Sequence, residues 1–242
     1  MRIVAIIQAR VASTRLPSKV LLPLGSDVIL GQVVKRVRYA KNVDEVIVAT
    51  SVRPMDDPIV GFCLLRGYSY YRGSELDVLE RYYQAACQAK ADVIIRITSD
   101  CPLIDSELLD NMIDFYWMHQ QIDYLSNTLF RTYPRGLDIE IFKFSALEKA
   151  HFEAKFPDER EHVTPYIRNH PNTFQLENYQ AVKDYSSHRW TLDTLEDYNF
   201  FTEIAKNLNI LESGMSEVLR FLEKNQQILL LNKHIEQKLE VS

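Results

Sequence analysis

The sequence predicts an α/β fold: a doubly wound, mostly parallel Rossmann-like sheet with a small β-rich insertion and C-terminal helices. Two observations carry this. Continuously apolar runs ending in polar loops recur through the first half, each followed by a segment with helical spacing. The second half breaks that rhythm, with short strand-like runs around Tyr133-Pro134-Arg135-Gly136 and then a helical tail.

Residues 3–7, IVAII, have no polar break, which suits a parallel strand covered on both faces. Residues 28–37 read as a helix through Ile29, Leu30, Val33, Val34 and Val37. A second strand spans 44–51, DEVIVATS; 54–58 is loop and 59–65 a short helix. GYSYYRGS holds a short strand and ends at Gly73-Ser74. Helix 77–88 follows, and Ser74 with Asp77 three residues on suits a capping arrangement at its start. A third strand, 92–100, leads into a loop with Cys101 and Pro102. Helix 106–119 comes next, with Asp105 as its cap or as support behind a site. The tail 213–239 reads as two amphipathic helices, or one broken helix, through Val218, Leu219, Phe221, Leu222, Leu229, Leu230 and Ile235. No repeat or low-complexity linker divides the chain, so 1–242 is read as a single domain with 122–180 as its inserted region.

The formal net charge of -5 argues against a general nucleic-acid binder but allows a local cationic pocket. The three cysteines, Cys63, Cys87 and Cys101, are far apart and odd in number, so neither a disulfide framework nor a zinc spacing follows. The opening apolar stretch stops at Gln8 and Arg10 and is read as a strand, not a leader. No apolar run has transmembrane length. A cytoplasmic protein without nucleic-acid or membrane partners is expected.

Ligands of open α/β sheets bind past the carboxyl ends of the strands. Arg10, Arg15 and Lys19 fall just there, with Ser13 and Thr14 between them. Loop N–H groups and fixed cations together suit a polyphosphate. The loop has neither GxxxxGK[ST] nor GxGxxG. Position alone leaves open a solvated loop whose arginines pair with surface carboxylates. Asp100, at the end of the third strand, is placed for Mg²⁺. Asp193 read alone is better taken as a helix cap, a role Thr194 fills equally well.

Other polar candidates lie in the second half. Gly136 suits a backbone conformation closed to other residues. Arg135 suits a bidentate grip on a carboxylate, and Asp138 suits orienting Arg135 or holding a sugar hydroxyl. Arg160, Glu161 and His162 cluster in REHVTPYI; for His162 a pocket role and a packing role are equally open. Arg189 suits phosphate or sugar, and Trp190 the core. Nothing supports nucleophilic catalysis: G-x-S-x-G is absent, and Cys101 beside Asp100 is poorly activated.

The stretch IIQARVASTRLPSK resembles the opening signature of the cytidylyltransferases that activate acidic sugars. There an A-R-x-x-S-x-R-x-P-x-K-type loop wraps the triphosphate of CTP. The chain is more narrowly similar to the spore coat polysaccharide, SpsF-type members. YRGSELDVLERYY, IIRITSDCPLID, YPRGLDIEIF, EREHVTPYI and HRWTLDTLEDY carry this likeness, in order, as far as about residue 200.

The resemblance implies a nucleotidyltransferase-type sheet and transfer of CMP from CTP to a sugar acid, with release of pyrophosphate, for surface polysaccharide. It implies Arg15, Lys19, Asp100 and Asp193 as the catalytic set, with Mg²⁺ on Asp100 and Asp193. The nucleotide falls to Arg10, Ser13, Arg15, Lys19, Arg72 and Ser74, and the sugar acceptor to Arg135, Asp138, Glu161, His162 and Arg189. It also implies a homodimer paired through part of 122–180. Two departures stand out: Thr98-Ser99 replaces the family's Gln-Gly before the metal aspartate, and Leu195 replaces a Pro. They keep a non-catalytic nucleotide-sugar binder open as an alternative. A glycosyltransferase or another nucleotidyltransferase is the other, although no strand end carries D-x-D.

Overall fold

A computed structural model describes residues 1–236. Four strands build the first half of the sheet: β1 (Ile3–Gln8), β4 (Glu45–Ser51), β5 (Ser69–Gly73) and β6 (Val93–Thr98), all parallel. The small hairpin β2 (Pro23–Leu24) and β3 (Asp27–Val28) stands apart. The main sheet has the order β5-β4-β1-β6-β8-β7-β9, completed by β7 (Tyr124–Ser126), β8 (Glu140–Lys143) and β9 (Leu176–Asn178). Only β8 runs against its neighbours, β6 and β7.

The helices follow the strands: α1 (Ile29–Arg38), α2 (Asp57–Arg66), α3 (Val78–Ala89), α4 (Ser106–Met118), α5 (Phe144–Glu153), α6 (Pro157–His162), α7 (Pro165–Arg168), α8 (Leu195–Asn207), α9 (Met215–Lys224) and α10 (Gln226–Leu229). The unbroken apolar runs are explained by cover on both faces. Ile3, Ala5 and Ile7 of β1 pack toward α1, α4 and α8, while Val4 and Ile6 pack toward α3 and α5.

The sequence reading and the structure differ in three local places. Pro58 is the second residue of α2 and not loop, because proline is tolerated in a helix's first turn, where its missing N–H costs nothing. The cap of α3 is Asp77, which accepts from the Glu80 N–H; Ser74 instead accepts from the Asp77 N–H. The region 122–180 is less β-rich than its sequence suggests: its three short strands extend the main sheet, and α5, α6 and α7 fill the rest. The expected pair of tail helices is α9 and α10; positions 237–239 of that expectation lie outside the described residues. Among the described residues no helix is long and apolar enough to cross a membrane.

Candidate active site

The loop after β1 is built to stay folded back on itself. The Val11 carbonyl accepts from the Ser13 and Ser18 N–H groups at 2.8 and 3.1 Å. The Val11 N–H donates to the buried Asp56 carboxylate at 2.7 Å, and Ser51 holds that carboxylate from the other side. The fold thus turns Arg10, Ser13, Arg15 and Lys19 into one wall of a cavity of about 290 Å³ at the carboxyl ends of β1 and β6.

Lys19 is the centre of this wall. Its ammonium, on a side chain 11% exposed, donates to Asp100 Oδ2 at 2.8 Å, Asp193 Oδ1 at 2.9 Å and the Leu192 carbonyl at 2.6 Å. Asp193 also meets Arg15 at 2.9 Å and Arg189 at 3.2 Å. Burial alone pushes the Asp100 carboxyl up, but the Lys19 charge and hydrogen bond, with help from Thr98, bring it down to about 2. Burial works against the Lys19 charge as well, and the two carboxylates outweigh it, so its pKa is raised.

Because the folded Asp100 pKa lies below the ordinary 3.8, the stability it contributes is present above that pH and is lost as pH falls toward 2. In Lys19→Ala the Asp100 carboxyl should titrate at higher pH, read by NMR. An unchanged titration would assign the low value to Thr98 and the backbone instead.

Asp193 is not the cap of α8. Thr194 Oγ1 accepts from the Asp197 N–H, and Asp197 Oδ2 accepts back from the Thr194 N–H at 3.0 Å. This capping box frees the Asp193 carboxylate to face Lys19. Asp197, fully buried, also grips Arg189 through Nε and Nη2 at 2.9 and 2.8 Å.

A second cavity of about 750 Å³ adjoins the first; Arg15, Thr98, Asp100, His162 and Asp193 line both. Its walls carry Arg96, Arg131, Arg135 and Arg168, with Asp138 and Glu140. Asp138 grips Arg131 in a two-point pair at 2.5 and 2.8 Å. Gly136 sits at φ +102°, and a Cβ there would lie 2.0 Å from the Trp190 carbonyl. This close crossing is what sets Arg135 beside Arg189 as a bridge between two loops. Val163, buried and at φ +73°, makes the tight corner between α6 and α7 that turns His162 and Thr164 toward the second cavity.

Not every expected residue is in these cavities. Glu161 lines only the smaller one, beside the cation loop, and not the arginine-rich space. Arg189 lines neither and stands behind Asp193. Arg72 is bound to the Ser51 and Arg53 carbonyls and to Asp57, and neither it nor Ser74 lines either of these two cavities. Sequence reasoning missed Arg81, buried in the wall of the smaller cavity, and the paired Arg96 and Glu140. The signal for the last two was a charge flanked by apolar residues in VIIRIT and in IEIF. Cys101 is buried; burial first, then Asp100, push its thiol well up, so it is inert.

Among the described residues no group of three or more His, Cys, Asp or Glu side chains converges on a point. Asp100 and Asp193 nevertheless reach one cation, the Lys19 ammonium, from two sides. Two carboxylates with room for phosphate and water match the donor set that Mg²⁺ takes.

A cytidylyltransferase family model matches residues 4–235. The spore coat polysaccharide biosynthesis protein SpsF of Bacillus subtilis is 37% identical over 231 residues, covering 92% of this chain and 95% of that one. The solved structure of a cytidylyltransferase from Leptospira borgpetersenii is 38% identical, with a TM-score of 0.92 over 98% of this chain and 100% of that one. A CMP:2-keto-3-deoxy-manno-octonic acid synthetase solved with CTP has a TM-score of 0.65 at 18% identity, over 86% of this chain and 100% of that one, a likeness of fold alone. The expected family and sheet are therefore right, and this chain belongs to the cytidylyltransferase family, related to its SpsF-type members.

Proposed function

We propose that this cytidylyltransferase joins CMP, drawn from CTP, to a hydroxyl of a sugar acid and releases pyrophosphate. One observation carries the reading: a cation-walled cavity and an arginine-rich cavity meet at Asp100 and Asp193. The smaller would hold the triphosphate against Arg10, Ser13, Arg15 and Lys19. The larger would hold the acceptor, with Arg135 taking its carboxylate. The sugar hydroxyl then approaches the α-phosphorus in line, and the chain's part is to align the two reactants and to stabilise spreading negative charge. Asp100 and Asp193 would hold Mg²⁺, which offsets phosphate charge and lowers the pKa of a nearby hydroxyl. Lys19, which bridges the two carboxylates, would then be available to the phosphates.

Pyrophosphate release from CTP, UTP and GTP, each with a panel of sugar acids and neutral sugars, tests this. Release confined to CTP with acidic sugars is expected; turnover with neutral sugars alone would overturn the acceptor class. Arg135→Ala should raise the acceptor KM about tenfold or more while CTP affinity stays near normal. An equal loss of CTP affinity would move Arg135 to the nucleotide. The dimer through 122–180 is likewise proposed, and light scattering that finds a monomer at high concentration would remove it.

A further inference from the structure

The helices after Asn207 carry no motif, yet they touch the loops that bear both site aspartates. Asn232, past α10 and only 3% exposed, donates its side-chain N–H groups to the Arg189 carbonyl and to Asp197 Oδ1, both at 3.0 Å. Asp197 holds the Arg189 guanidinium at two points, and Arg189 in turn donates to Asp193 Oδ2 at 3.2 Å. Asp197 Oδ2 also takes the Asp193 N–H at 3.0 Å, so it fixes that residue's backbone as well as its side chain. Burial raises the Asp197 pKa; the Arg189 pair and the Asn232 hydrogen bond outweigh it and keep the carboxylate charged.

The loop of Asp100 is tied from behind in the same way. At the loop's far end Asp105 accepts from the Met215 N–H at 2.6 Å. The buried Arg36 of α1 donates to the Leu103 and Ile104 carbonyls of that loop, and to the Ile210 and Ser213 carbonyls of the C-terminal segment. These four Arg36 hydrogen bonds all go to backbone carbonyls, and they join two segments that sequence separates by more than a hundred residues.

We propose that the C-terminal segment is a clamp for the site, and that Asn232 is a positioning residue acting on Asp193 through Arg189 and Asp197. It lines neither of the two site cavities. An amide suits the place because its N–H groups meet a carbonyl and a carboxylate at once, which an aliphatic side chain cannot do and a carboxylate would oppose. This inference rests on Asp193 being part of the CTP site.

The test is calorimetric titration of the full chain with CTP at fixed Mg²⁺, with thermal unfolding of each variant alongside. Asn232→Ala should weaken CTP binding about tenfold, the scale of hydrogen bonds to a charged group. Asn232→Asp keeps the shape but sets a second carboxylate against Asp197, and should weaken it further; it also serves if the alanine variant does not fold. In an Asp193→Asn background the effect of Asn232→Ala should shrink, since Arg189 then meets a neutral amide in place of the carboxylate. A purely structural role would persist there. Affinities within about twofold of wild type in both variants, or an undiminished loss in the Asp193→Asn background, would overturn the proposal. Failure of the metal reading is seen separately, on the wild-type protein, as CTP binding that gains nothing from Mg²⁺.

Discussion

Asp100→Asn and Asp193→Asn should each fold normally and lose at least about a hundredfold in turnover, the scale of removing one preorganised electrostatic contact. Both should also lose the Mg²⁺ dependence of CTP binding. The isosteric amide keeps size and hydrogen-bonding capacity but removes the anion that a hard cation requires. For Asp193 the structure makes this test clean, because Thr194 and Asp197 cap α8 without it. Thr194→Ala is the matched control: it should cost about 1 kcal/mol of stability with a minor effect on turnover. Full activity in Asp193→Asn would end the metal role of that residue, and wild-type Mg²⁺ dependence in Asp100→Asn would do the same for Asp100.

Lys19→Ala and Arg15→Ala should each weaken CTP binding by about 2 kcal/mol, or roughly thirtyfold, through loss of a charge-assisted contact. Lys19 should show the larger effect. Its ammonium touches both Asp100 and Asp193, so its removal leaves two carboxylates facing each other beside the polyphosphate. Arg15 lies nearer the rim and meets only Asp193 among its ion pairs on the described residues. Arg10→Ala needs a stability control, since Arg10 lies beside the Val11 contact that anchors the loop on Asp56. Near-normal CTP affinity in both Lys19→Ala and Arg15→Ala would remove the polyphosphate role of the loop.

The sequence by itself determined the parallel half of the sheet, the order of its helices and the cation loop. These are local properties: a run such as IVAII or VIIRIT is a buried strand wherever it packs, and charges just past a strand must fall at its carboxyl end. Asp100 was legible for the same reason. The tertiary structure alone decided what stands opposite each charge. Asp193 became free for the site only because Thr194 took the cap, and Arg189 left the cavity because Asp197 drew it back. Arg72 and Ser74, named from a loop's likeness, were taken by nearby backbone groups. The clamp by Asn232 has no sequence signal at all, since a lone amide in a helical tail looks the same whether it meets water or a buried carboxylate. Strand and helix follow from spacing along the chain, whereas an ion pair depends on distances between residues far apart in sequence, and only the folded sheet sets those.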